Sequence, residues 1–77
     1  MLSQSRFIYK IRLTSMQDVF EFVRCAVRCE YDIALVNGKH RLNPKSYLGV
    51  FLAKTSWDEI YLECDDDCYF DFEKFID

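Results

Sequence analysis

Seventy-seven residues, 51% hydrophobic and 17% aromatic, supply the apolar volume for one core and so for one domain spanning residues 1–77. Charged residues make up 30% and no low-complexity run occurs, which excludes a disordered chain. The net charge of −3, from ten basic and thirteen acidic residues, argues against a nucleic-acid partner, and no apolar run suits a membrane span.

Met1 to Ser5 lack the apolar core of a signal peptide, so a cytoplasmic location is expected. Residues Arg6 to Leu13 then alternate. Phe7, Tyr9, Ile11 and Leu13 share one face, and Arg6, Ile8, Lys10 and Arg12 the other, which predicts a strand. A helix follows, capped by Thr14 or Ser15; Ser15 and Asp18 resemble a capping box with Asp in place of Glu or Gln. Val19, Phe22, Val23, Ala26 and Val27 recur at helical spacing, and the pattern ends near Cys29 or Glu30.

Tyr31 to Val36 predicts a second strand. Asn37-Gly38 predicts a type I′ hairpin turn, and Lys39 to Leu42 a short return strand with the charges of a sheet edge. His40, the only histidine, is expected on the hairpin surface. Asn43-Pro44-Lys45 breaks the strand, and Ser46 is placed to cap a short helix from Tyr47 to Ala53. Leu48, Phe51 and Leu52 match a core-facing side of that helix, leaving Tyr47 outside. Gly49 marks either a short helix or a close approach, because glycine in a helix costs about 1 kcal/mol relative to alanine.

After a loop at Lys54–Ser56, Trp57 to Cys64 alternates again, with Ile60, Leu62 and Cys64 inward. Asp65-Asp66-Asp67 suits the positive end of a last helix, whose apolar side is Cys68, Phe72, Phe75 and Ile76. The order βαββαβα gives a two-layer α+β domain, an antiparallel sheet with three helices on one face.

Four cysteines form two C-x3-C pairs, Cys25/Cys29 and Cys64/Cys68. Zinc ligands usually come as C-x2-C or C-x4-C on tight turns. The first pair falls in a helical pattern and the second begins at a strand end. Four reduced, buried thiols are therefore expected, with no metal and no cofactor. A metal or redox module using these pairs is the competing interpretation.

The element order, the Asn37-Gly38-Lys39 hairpin and the segment Asn43-x-Lys45-Ser46-Tyr47-Leu48-Gly49-Val50-Phe51 together resemble the HPr family, the histidine phosphocarriers of the bacterial sugar phosphotransferase system. The match is strong over residues 37–53 and rests elsewhere on element order. The resemblance implies an open-faced sandwich with four antiparallel strands in the order 1-4-2-3. It also implies a phosphoacceptor His and a phosphate-binding Arg in a Gly-x-His-Ala-Arg-Pro-like motif at the start of the first helix. Those positions hold Ser15 and Gln17 here, and a hydroxyl without a neighbouring base is a poor substitute for imidazole. By the same resemblance, Ser46 corresponds to a regulatory phosphorylation site, and Tyr47, Leu48 and Phe51 to a surface that docks partner proteins.

No catalytic residue is expected. The expectation is a non-catalytic HPr-like interaction or regulatory module, with a protein partner and neither nucleic acid nor membrane, switched by phosphorylation of Ser46. A phosphocarrier acting through a non-standard residue is the alternative within the phosphotransferase system.

Overall fold

A computed structural model describes residues 7–77; Arg6, the predicted first residue of the first strand, lies outside the described residues. The elements are β1 (Phe7–Ile11), α1 (Met16–Val27), β2 (Ile33–Asn37), β3 (His40–Leu42), α2 (Tyr47–Ser56), β4 (Ile60–Cys64) and α3 (Tyr69–Phe72), with a 3₁₀ turn at Glu73–Phe75. The four strands form one antiparallel sheet in the order β1-β4-β2-β3, the expected arrangement. No helix among the described residues is long and apolar enough to cross a membrane.

The last strand in sequence occupies the interior of the sheet. β4 pairs with β1 through Ile11–Ile60 and Tyr9–Leu62, and with β2 through Leu35–Leu62 and Ile33–Cys64. Its period of two explains the placement. Ile60, Leu62 and Cys64 are buried, while Tyr61 and Glu63 point to the opposite face and are half-buried. Glu63 is held there by Arg41 of β3, with Nη1 donating over 2.8 Å.

Helix α1 covers the inner face with Val19, Phe22, Val23 and Ala26, all buried. Phe22 is fully buried between Phe72 and Phe75, at ring-centre distances of 5.1 and 5.3 Å. Burying such a ring stabilises the fold by roughly 1.5–3 kcal/mol. Val27, predicted in the same stripe, is the last residue of α1 and is exposed.

The structure corrects several expectations. The hairpin loop is Gly38-Lys39, since Asn37 still pairs with His40. Gly38 has φ +59° and no other described residue has positive φ, the pattern of a type II′ turn rather than I′. Asn37 instead braces β4, its Nδ2 donating to the Glu59 carbonyl at 2.8 Å.

Helix α2 runs through the predicted Lys54–Ser56 loop, ten residues in all. It meets the core through Val50 and Ala53, not through Leu48, Phe51 and Leu52, which are exposed. The smaller side chains thus face the core, and the larger ones are left on the helix's outer side. Phe7, expected in the core, lies 40% exposed at the end of an edge strand.

The last helix does not continue to the C-terminus. α3 is one turn long, and after the 3₁₀ turn Ile76 bridges to Ile11. Arg12 N–H donates to the Phe75 carbonyl (2.8 Å) and Asp77 N–H to the Lys10 carbonyl (2.9 Å). The C-terminal residues thus satisfy β1's outer edge, whose polar groups would otherwise invite pairing with another chain.

Cys64 and Cys68 are joined by a disulfide, against the expectation of four reduced thiols. Cys64 ends β4 facing inward and Cys68 opens α3 also facing inward, so the short acidic turn between them brings both sulfurs to the same buried spot. Cys25 and Cys29 remain free.

Candidate functional site

The N-termini of α1 and α2 are built by local hydrogen bonds that the sequence encodes. Ser15 caps α1: its Oγ accepts from Asp18 N–H at 3.1 Å. Asp18 returns the contact one residue earlier than in the usual box. Its Oδ2 accepts from both the N–H and the hydroxyl of Thr14, each at 2.8 Å. Asp is shorter than Glu, and both candidate cap residues are used. These bonds, led by the Thr14 N–H, hold the Asp18 pKa below its ordinary value of 3.8.

Ser15 therefore has its oxygen engaged, and among the described residues no histidine, lysine or carboxylate side chain hydrogen-bonds to it. Gln17 turns the other way, Nε2 donating to Glu21 Oε2 at 2.9 Å. Glu21 also pairs with Lys74 beyond α3. His40 lies on β3, exposed, with its ring 6.4 Å from that of Trp57.

The α2 entry is more elaborate. Asn43 Oδ1 accepts from Lys45 N–H (2.9 Å), and the Asn43 carbonyl accepts from Ser46 N–H (3.1 Å). This turn packs Pro44 into the core and aims Ser46 Oγ at Gly49 N–H, 3.2 Å away. Lys45 reaches across to α1, its Nζ donating to the Cys29 carbonyl at 3.0 Å. One ammonium thus satisfies an orphan carbonyl just past α1 and fixes where α2 begins.

Around this entry the large apolar side chains face outward. Tyr47, Leu48 and Phe51 are 49%, 74% and 40% exposed, and Met16 and Phe20 of α1 are similarly open. Phe20 meets Tyr47 edge-on at 5.5 Å between ring centres. The structure thereby joins the start of α1 to the start of α2 through an aromatic pair, whereas no hydrogen bond among the described residues connects Ser15 or Gln17 with Ser46. Met16 and Phe20 carry a signal that the sequence does contain: they sit four residues apart, off the core stripe of an amphipathic helix, where polar residues are the norm.

The acidic turn is also a capping device. Asp67 Oδ1 accepts from Tyr69 N–H at 3.1 Å and from the Tyr9 hydroxyl at 2.8 Å. Burial, followed by the Asp67 carboxylate, pushes the Tyr9 phenol up to about 12.

A cleft of about 310 Å³ lies on the far side of α1, lined by Cys25, Arg28, Cys29, Glu30, Tyr31 and Asp71. The Tyr31 hydroxyl donates to Asp71 Oδ2 at 3.0 Å, joining the end of α1 to α3. Burial pushes the Cys25 thiol up and the Tyr31 phenol well up, the latter helped by Cys29 and Asp71. No group of three His, Cys, Asp or Glu side chains is assembled for a metal ion among the described residues.

Comparisons with family models, with curated proteins and with solved structures give no match.

Proposed function

We propose that this chain is a non-catalytic, HPr-like interaction module that docks a protein partner through Met16, Phe20, Tyr47, Leu48 and Phe51, under the control of Ser46. The exposed apolar patch carries this reading. Large apolar side chains from two helices face solvent next to each other, joined by the Phe20–Tyr47 contact. Clustered exposure of this kind favours burial against a partner, and aromatic residues are the usual anchors.

Ser46 stands at the edge of the patch as the cap before Tyr47. A phosphoryl group there would face the open N-terminal amides of a ten-residue helix with no acid in its first turn. The added dianion would strengthen the cap and change the charge beside the docking residues. The strand order and the Asn43–Phe51 segment support the HPr-like assignment, and the serine at position 15 supports the non-catalytic one.

The test is incubation with ATP and a serine kinase of the HPr system, followed by intact mass. One added phosphate in the natural chain and none in Ser46→Ala is the expected result. No phosphate on either protein would reject Ser46 as the switch.

A further inference from the structure

The two free cysteines form a site that the docking surface does not use. Cys25 lies in the last turn of α1 and Cys29 two residues beyond its end, at Val27. The helix tightens there: Arg28 N–H donates to the Cys25 carbonyl (3.2 Å) and Cys29 N–H to the Ala26 carbonyl (3.0 Å). The Cys29 thiol bends back over the preceding turn, its Sγ 3.6 Å from the Cys25 carbonyl. Both residues line the same cleft, together with the hydrogen-bonded pair Tyr31 and Asp71.

Thiolate sulfur selects soft cations, and Cu(I) is satisfied by two such donors, whereas zinc requires four ligands in a tetrahedron. The cleft offers two sulfurs; Glu30 and Asp71 also line it, but no group of three His, Cys, Asp or Glu side chains is assembled for a metal ion among the described residues. The other two cysteines are removed from competition by their disulfide. Arg28 lines the cleft together with Glu30 and Asp71, and its guanidinium can offset a negative complex there.

We propose that the Cys25/Cys29 cleft binds a soft monovalent cation of the Cu(I) type, coordinated by the two sulfurs. Binding replaces both thiol protons, which pass to solvent, and leaves a bis-thiolate complex of net charge −1 beside the Arg28 guanidinium. No electron is transferred. The site is independent of the Ser46 reading, because none of its residues belongs to the docking patch.

The experiment titrates the chain, with its Cys64–Cys68 disulfide intact, with Cu(I) supplied as its acetonitrile complex under nitrogen against a chromophoric competing chelator. Native mass spectrometry counts the bound metal. The expected result is one Cu(I) per chain, lost in both Cys25→Ser and Cys29→Ser. Circular dichroism of each variant confirms that it is folded. Failure of the folded natural chain to take up Cu(I), or uptake unchanged in either variant, would overturn the proposal. Uptake at one equivalent with loss in both variants would establish it.

Discussion

Replacing Gly49 by alanine sets two effects against each other. Alanine ordinarily gains about 1 kcal/mol over glycine within a helix. Gly49, however, is the third residue of α2, and a Cβ there would lie 3.0 Å from the carbonyl oxygen of Asn43. That oxygen is not free to retreat. It accepts from Ser46 N–H at 3.1 Å, and the next residue, Pro44, is buried. Giving way would weaken a hydrogen bond worth about 1 kcal/mol. It would also press a buried ring into packed neighbours, which typically costs about 1–3 kcal/mol. The clash therefore exceeds the propensity gain, and Gly49→Ala should destabilise by about 1 kcal/mol net, lowering the melting temperature by roughly 4–8 °C for a domain of this size. Thermal and urea melts followed by circular dichroism measure this directly. Gly38 is the control: nothing lies within 4 Å of its hypothetical Cβ, and only its φ of +59° calls for glycine. Asparagine, which tolerates positive φ, should be accepted at position 38 and rejected at position 49. An increase in stability for Gly49→Ala would refute the close-approach reasoning.

The remaining predictions concern the second cap and the Tyr9–Asp67 contact. Ser46→Ala should lose about 1 kcal/mol of stability, as an unreplaced N-cap does, whereas Ser46→Asp should melt near the natural chain because a carboxylate also accepts from Gly49 N–H. Equal melts for Ala and Ser would show that the 3.2 Å contact contributes nothing. The Tyr9 phenol has its folded pKa raised above the ordinary 10 to about 12. Its contribution is therefore fully present below pH 10 and lost as pH rises towards 12. In Tyr9→Phe, stability between pH 10 and 12 should fall less steeply than in the natural chain; an unchanged slope in urea midpoints against pH would show that the Asp67 contact is not maintained in solution.

Much of the architecture is legible in the residues themselves. The period of two in Phe7–Ile11 and Ile60–Cys64, and the stripe Val19, Phe22, Val23, Ala26, define their elements because each buried face repeats with the geometry of its backbone. Ser15, Asp18 and Ser46 mark helix starts by chemistry that acts within three or four residues. Helix α2 is the instructive failure. Its sequence carries apolar residues all round, so periodicity cannot choose a face, and hydrophobicity alone favours Leu48, Phe51 and Leu52 for the core. The close approach of the helix to its neighbours selects Val50 and Ala53 instead.

The sequence by itself determined the element order, both helix caps, the presence of a tight hairpin turn at Gly38 (though not its residues or type) and the absence of an imidazole at Ser15, since each depends on contacts within one turn or on residue identity. Tertiary structure decided the rest. It ran Ile76 and Asp77 along β1, joined Cys64 to Cys68 and set Phe20 against Tyr47. Each of these joins residues whose meeting depends on how the layers pack, so no local pattern announces it. The candidate docking patch and the thiol cleft both belong to this second group: they exist because α1 packs with α2 on one side and α3 on the other.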